Sequence, residues 1–287
     1  MTKKTSIHTQ SLKIPKIIVL TSKLISLISP KLITLFAAKL FTTPIKHKIP
    51  KRELEMDLKS IQKLINIPAI NKEVVLYEYG KSDKKVLLVH GWSGRGTQLF
   101  KIADELLKAG YSTISFDAPA HGKSPGKMTI MTDFIAAILE IDKQLGPFES
   151  AIGHSLGGMS VLNAIKKGFK VKNAVVIGSG DIVEDIIDDF VAKLELKPNI
   201  STLLRLHFEK KYGEEMNSYS AYLAAEKTTI PVLVIHDHND PEVPVKAGIH
   251  IHKYLKNGEL MLTEGLGHRK ILGNQAVIEK TIQYISK

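Results

Sequence analysis

Gly153-His154-Ser155-Leu156-Gly157 forms a Gly-x-Ser-x-Gly pattern, reached through the apolar pair Ala151-Ile152 and followed by a helix-like segment, Met159 to Lys167, that Gly168 closes. A strand that enters a helix through a sharp turn holds the tip residue in a strained conformation. A Cβ two positions to either side would strike neighbouring backbone, so both flanking glycines have a steric reason. The outcome is an exposed hydroxyl in a position to act as a nucleophile. A chain of this length meets the bare pattern by accident roughly one time in ten, so the flanking strand and helix carry much of its weight. A serine hydroxyl also needs a base to take its proton. Among 11 histidines, His268 stands in a Gly265-Leu266-Gly267-His268 loop after the last apolar strand, and the order Ser, acid, His raises it above histidines without a motif. An acid that orients this imidazole belongs in the loop after the strand Val232 to His236. Asp237, Asp240 and Glu242 all lie there, and Asp181 lies after the preceding strand.

Further motifs stand around these residues in a fixed order. They are His90-Gly91-Trp92, the run Phe116-Asp117-Ala118-Pro119-Ala120-His121-Gly122-Lys123-Ser124, the Ser155 turn, the run His236-Asp237-His238-Asn239-Asp240-Pro241-Glu242-Val243-Pro244, and the His268 loop. This order resembles that of the α/β-hydrolases over about residues 74 to 286. It is most similar to a bacterial group of general α/β-hydrolases that pair a His-Gly-Trp loop with a Gly-Leu-Gly-His-Arg loop. The resemblance implies a catalytic triad of Ser155, Asp240 and His268, with Asp240 chosen because Val243-Pro244 completes the segment in which relatives carry their acid. It also implies that the backbone N–H of Trp92 is one oxyanion-hole donor. The N–H of Leu156, at the start of a helix whose dipole adds to it, is the other.

The reaction expected from these parts is hydrolysis of a carboxylic ester or thioester through an acyl-enzyme, with a small acyl compound as substrate and no cofactor. A ligand-binding or signalling protein that retains the triad on this fold is the alternative. Two other chemistries fit less well. His236-x-His238-x-Asp240 begins like a metallo-hydrolase motif, but Pro241 stands where the next histidine would be, so no metal is expected. Gly91-x-x-Gly94-Arg95-Gly96 lacks the Lys-Ser/Thr ending of a phosphate loop.

The elements that must position these groups follow from pattern. An apolar fraction of 44 % with 24 % charge in 287 residues is ordinary for a globular enzyme. The absence of cysteine excludes disulfides, a thiol nucleophile and thiolate metal ligands, and agrees with a reducing, cytoplasmic setting. From Val74 onward, near-continuous apolar strands (Val74–Tyr79, Val86–Val89, Tyr111–Phe116, Ala174–Ile177, Val232–His236, Glu259–Thr263) alternate with helices (Thr97–Ala109, Thr129–Leu145, Gln275–Ile285). That alternation calls for an α/β fold, a mostly parallel sheet covered on both faces. About fifty residues, 181–229, interrupt the alternation with helical stripes of their own and read as a small helical cap over the pocket.

The net charge of +11 is local. Of 40 basic residues, 11 lie in residues 1–52, which hold no acid, leaving 29 basic against 29 acidic residues over 53–287. The expected domains are a basic amphipathic arm, 1–52, and a hydrolase domain, 53–287, opened by a helix over Glu53–Ile65. A formally neutral hydrolase domain gives no reason to expect nucleic acid. Residues 14–41 read as two amphipathic helices divided by Pro30, with uncharged runs too short to span a bilayer and a poor fit to a secretory signal. Two burial partners compete for their apolar stripe: the hydrolase body, and an anionic membrane at the inner surface, which the uncompensated charge favours. The oligomeric state is not legible.

Overall fold

The computed structural model describes residues 14–287. The first thirteen residues of the basic arm, with Lys3, Lys4 and Lys13, lie outside the described residues. Eight strands, β1 (Ile61–Ile67), β2 (Lys72–Tyr79), β3 (Lys85–Val89), β4 (Ser112–Asp117), β5 (Ser150–His154), β6 (Asn173–Ile177), β7 (Val232–Asp237) and β8 (Gly258–Thr263), form one sheet in the order β1-β2-β4-β3-β5-β6-β7-β8. The pairs β1/β2 and β2/β4 are antiparallel, and every pair from β4 through β8 is parallel. The helices in chain order are α1 (Lys16–Ile28), α2 (Pro30–Phe41), α3 (Leu54–Lys59), α4 (Phe100–Lys108), α5 (Met131–Leu145), α6 (Leu156–Lys166), α7 (Val183–Lys193), α8 (Asn199–Tyr212), α9 (Ala221–Lys227), α10 (Lys246–Tyr254), α11 (Gly267–Lys270) and α12 (Gln275–Ile285).

The central strands are apolar at successive positions because both faces of the sheet are covered. Along β3, Leu87 and Val89 join the core that contains Phe134 and Ile138 of α5 and Val161 and Leu162 of α6, whereas Val86 and Leu88 join Ile102 and Leu106 of α4 and Val277 of α12. Each such aliphatic side chain, fully removed from water, stabilises by about 1.5–3 kcal/mol. This two-sided burial keeps the strand ends, and the loops that leave them, in fixed register.

Two elements depart from the sequence expectation. The helix anticipated over Glu53–Ile65 stops at Lys59, and residues 61–67 pair with β2 in an antiparallel hairpin turned by Asn71 in a left-handed conformation (φ 48°). Ile61, Leu64 and Ile65 have helical spacing, but tertiary pairing overrides it. β1 is an edge strand with Ile61 and Leu64 exposed, and only Ile65 and Ile67, two apart on one face, reach the main core. α10 fills a stretch without clear periodicity. The helix after Ser155 begins at Leu156, which places its amino end at the turn itself, where the Leu156 N–H is expected.

Residues 181–229 are largely helical and pack in two ways. α7 and α8 pack on each other, whereas α9 packs on α6 and α10 and so belongs to the layer covering the sheet. The arm joins this assembly through α2. Ser29 caps α2, its side chain accepting from the Leu32 N–H, and Pro30 occupies the first turn. Ile33, Ala37 and Ala38 are buried in the main core, and the Phe41 ring meets Phe190 of α7 at 5.1 Å and Phe208 of α8 at 5.6 Å between centroids. Beyond α2 the linker crosses the strand ends, with Thr42 O accepting from Thr129 N–H (2.9 Å) and Ile45 N–H donating to Ser93 Oγ (3.0 Å).

Candidate active site

β3 is the strand at which chain order reverses, since the chain passes outward to β4 and then returns to β5 on the other side. Loops leaving neighbouring parallel strands in opposite directions open a crevice at their carboxyl ends, the usual place for a ligand in an open α/β sheet. The His90-Gly91-Trp92 loop follows β3, and Ser155 follows β5, with Val89 and Gly153 directly paired.

Ser155 sits at φ 54°, ψ −121°, a conformation that a non-glycine residue adopts only when its surroundings enforce it. The enforcement is steric. A Cβ on Gly153 would stand 2.5 Å from the Gly157 carbonyl oxygen, and one on Gly157 would stand 2.3 Å from the Val89 carbonyl oxygen. Neither position accepts a side chain, so the strand and the helix approach closely and the serine is thrust outward. Ser155 N–H donates to Ile177 O of β6 (2.9 Å), which ties the turn to the sheet. Its half-buried hydroxyl has no partner among the described residues.

The expected base and acid lie together. His268 Nδ1 is 2.7 Å from Asp240 Oδ2, with both side chains almost fully buried. Asp240 Oδ1 accepts from the N–H groups of Glu242 (2.8 Å) and Val243 (2.9 Å), so both carboxylate oxygens are engaged. Burial alone would raise the Asp240 pKa. The His268 hydrogen bond and charge, with the two backbone donors, outweigh it and hold the carboxyl below its ordinary value. A Cβ on Gly178, just past β6, would come 3.3 Å from His268 Nδ1, so the pair stands at the strand end beside the Ser155 turn.

The other acids point elsewhere. Asp181 accepts from Tyr222 N–H (2.9 Å) and pairs with His250 Nδ1 (2.5 Å), and Glu242 pairs with Arg269 (3.0 Å). Asp237 accepts from Thr263 Oγ1 (2.7 Å), Asn239 N–H (2.9 Å) and Leu266 N–H (3.0 Å). It therefore braces the loop that carries His268 against the loop that carries Asp240. Burial would raise the Asp237 pKa, and this fan of donors brings it below the ordinary value instead.

Beside Ser155, a Cβ on Gly91 would stand 2.9 Å from the Ser155 Cβ, so only glycine allows the loop after β3 to lie against the turn. The N–H groups of Gly91, Ser93 and Gly94 are taken by Gln98 Oε1 (3.0 Å), His121 Nε2 (3.0 Å) and Gly91 O (3.0 Å). Those of Trp92 and Leu156 have no partner among the described residues, and they are the two donors anticipated for an oxyanion. The Trp92 ring is half-buried and meets His121 edge-on at 5.3 Å.

Buried polar side chains from the same motifs hold these loops. His90 Nδ1 contacts Gly91 O (2.7 Å) while its Nε2 accepts from Ala118 N–H (3.0 Å), and His121 Nδ1 contacts Pro119 O (3.1 Å) while its Nε2 accepts from Ser93 N–H. Both act as neutral rings protonated on Nδ1. Burial drives the His90 pKa well below its ordinary value and the His121 pKa down to about 4. Asp117 accepts from Gly96 N–H (2.7 Å), Lys123 N–H (2.6 Å) and the Tyr77 hydroxyl (2.9 Å), and burial raises its pKa. His154 Nε2 meets His268 O at 2.9 Å, its ring 4.6 Å from the His268 ring; burial, reinforced by the neighbouring His268, lowers its pKa to about 3. Their signal lay in motif membership, but which backbone group each would meet depends on loop shape.

The features set aside on sequence have structural partners. Arg95 turns inward to Glu53 (2.9 Å), which also accepts from Thr97 Oγ1 (2.8 Å). His236 is buried with Nε2 3.0 Å from Val243 O, whereas His238 is exposed, so the two do not face one centre. A cleft of about 650 Å³ lined by Lys72, Glu73, Met128, Asp133, Lys211 and Tyr212 contains none of the site residues.

Comparison with known proteins agrees with this architecture. Residues 84–200 match a family model described as alpha/beta hydrolase fold, and residues 215–287 one described as TAP-like protein. The chain is 29 % identical over 172 residues to a monoglyceride lipase of Saccharomyces cerevisiae, a match covering 52 % of this chain and 53 % of that protein, so it spans about half of that relative's length. It is 24 % identical over 230 residues to a pimeloyl-[acyl-carrier protein] methyl ester esterase of Neisseria meningitidis, covering 67 % of this chain and 88 % of that one. Among solved structures, an esterase from Exiguobacterium antarcticum superposes with a TM-score of 0.64 at 18 % identity, covering 79 % of this chain and all of that one.

Proposed function

We propose, for a chain that belongs to the α/β-hydrolase superfamily, that it cleaves a carboxylic ester or thioester through an acyl-enzyme formed on Ser155. The observation that carries this reading is the strained Ser155 at the switch of strand order, with the buried His268–Asp240 pair at neighbouring strand ends. The relatives named above are a lipase and an ester esterase, which supports the ester class.

In the acylation step, Ser155 Oγ attacks the substrate carbonyl while His268 Nε2 takes the hydroxyl proton. Asp240, on Nδ1, keeps the imidazole in the tautomer that leaves Nε2 free and offsets the positive charge that develops. The carbonyl oxygen becomes an oxyanion and receives the N–H groups of Trp92 and Leu156, donors fixed beforehand and aided by the dipole at the start of α6. The intermediate collapses, the carbon–oxygen or carbon–sulfur bond to the leaving group breaks, and His268 returns the proton to the departing alkoxide or thiolate. In the second half, His268 deprotonates a water that attacks the acyl-serine, and the acid leaves as Ser155 recovers its proton. No cofactor takes part, and the substrate is a small acyl compound.

The test is turnover of a panel of activated esters and thioesters of increasing acyl length by the wild type and by Ser155→Ala. The account expects measurable hydrolysis by the wild type and none above background by the variant. Hydrolysis retained by Ser155→Ala would refute the mechanism. Inactivity of the wild type across the panel would favour the ligand-binding alternative.

A further inference from the structure

α1 carries apolar residues on two sides. Ile18 and Ile25 pack against the main core with Ser22 buried between them, whereas Ile17, Leu20, Leu24, Leu27 and Ile28 are 69 %, 55 %, 56 %, 83 % and 74 % exposed. Three- and four-residue steps put these five on one stripe of the helix. Leu32 and Leu35 extend the exposed apolar surface onto α2. A contiguous apolar surface of this kind, rimmed by charge, marks an interaction site rather than the scattered exposed leucines every protein carries. The rim is basic. Lys16, Lys31 and Lys39 form no ion pair among the described residues, and Lys23 pairs with Glu195.

We propose that the outer face of the α1–α2 hairpin docks on an anionic lipid surface, its aliphatic stripe in the interface and its lysines at the headgroups. Charge selects this occupant. A second copy would bring two arms together, each holding 11 basic residues and no acid across residues 1–52, and like charges repel there. A nucleic acid would use the lysines and leave the aliphatic stripe in water. The first thirteen residues contribute three large apolar side chains, Met1, Ile7 and Leu12, against seven to be covered, together with three more lysines. An anionic bilayer surface satisfies both halves of the face, since apolar burial and attraction of lysines to anionic lipid act together. Docking is peripheral, because no described helix is long and apolar enough to cross a membrane.

The inner face makes the hairpin a fixed platform rather than a tether. Ile33, Ala37 and Ala38 anchor α2 in the core, and the linker is bonded to Ser93 and, through Lys46 Nζ (2.6 Å), to Ser124 O. The chain leaving the hairpin is thereby tied directly to the loop after β3. Docking itself does not depend on the hydrolase reading. Its consequence, that bilayer-held acyl substrates would be favoured, does.

The experiment is flotation of the full chain with vesicles containing phosphatidylglycerol and, separately, with phosphatidylcholine vesicles. The wild type is expected to float with the former only and to be partly released by salt. Leu24→Glu and Leu27→Glu should each lower partitioning at least about tenfold, and Lys16→Ala and Lys31→Ala about fivefold each, with unchanged melting temperature, elution volume and soluble-ester turnover. Failure of the wild type to float with phosphatidylglycerol at low salt overturns the proposal. So does a Leu27→Glu variant that melts several degrees lower, which would mean that the chain itself covers the stripe, or one that turns an oligomer into a monomer, which would assign the stripe to a second copy.

Discussion

At the carboxyl edge of β3, β5, β7 and β8, most polar groups around Ser155 are matched inside the fold; the Ser155 hydroxyl, the N–H groups of Trp92 and Leu156, and the buried Nδ1 atoms of His154 and His236 have no partner among the described residues. His90, His121, Asp117 and Asp237 each bond backbone groups of the loops they hold. The α1–α2 hairpin is built differently. One face is buried against the core and against α7 and α8, and the other leaves aliphatic side chains in water. Stereochemistry closes the first region, because the steric demands of the turn and the lone pairs of buried histidines admit few partners. The second is closed only on its inner side, so a partner outside the chain decides the rest. Geometry alone can therefore be read for chemistry at the edge, whereas at the hairpin it defines what is still to be bound.

The largest effects should come from the edge. Ser155→Ala and His268→Ala should each cost about 10⁴-fold to 10⁶-fold in kcat, and the double variant should be hardly worse than either, because the groups act as a unit. Steady-state rates on one activated ester check this, and additive losses would break the assignment. Asp240→Asn should cost roughly 10⁴-fold, since an amide cannot hold the imidazole in the productive tautomer. Asp181→Asn should leave the rate nearly unchanged, as its carboxylate is committed to His250 and Tyr222. The opposite ranking would move the acid to the loop after β6.

The two faces of the hairpin differ in what they contribute to stability. Ile33→Ala removes a fully buried side chain and should destabilise by about 2–5 kcal/mol, whereas Leu27→Ala at 83 % exposure should stay within about 0.5 kcal/mol. Denaturant midpoints measure both, and equal losses would show that the outer face is buried too.

Acid sharpens the contrast from the other side. His121 at about 4, His154 at about 3 and His90 well below its ordinary value are neutral in the fold but take up protons near 6.5 when unfolded. Their contribution is complete above about pH 6.5 and declines as pH falls towards about 4 and below, because the unfolded state then binds more protons. Denaturation measured at intervals across that window should show falling stability in the wild type and a shallower fall in His121→Gln.

The edge was legible in the sequence because its constraints are local. Gly153 and Gly157 are required by contacts a few residues away, and the chain order of Ser155, Asp240 and His268 anticipates the strand ends they occupy. In sequence Asp237 reads only as a candidate triad acid, because its bracing role requires that the loops after β7 and β8 meet. β1 resembles a helix in sequence because Ile61, Leu64 and Ile65 are helically spaced while only Ile65 and Ile67 reach the core, and α10 gives a weak helical signal because its inner face is short and interrupted by Gly248, which lies against His236. Amphipathicity showed that the arm buries a face somewhere. It could not show that α2 would seat on α7 and α8, since that depends on Phe190 and Phe208 from a distant stretch of chain.

The central claim, that Ser155 is a nucleophile activated by His268, is tested most directly by treating the protein with an alkyl fluorophosphonate and mapping the adduct by peptide mass spectrometry. The account predicts one adduct, on the peptide carrying Ser155, formed much more slowly in His268→Ala and absent from Ser155→Ala. No adduct on Ser155 in the folded wild type, or labelling whose rate is unaffected by loss of His268, would contradict it.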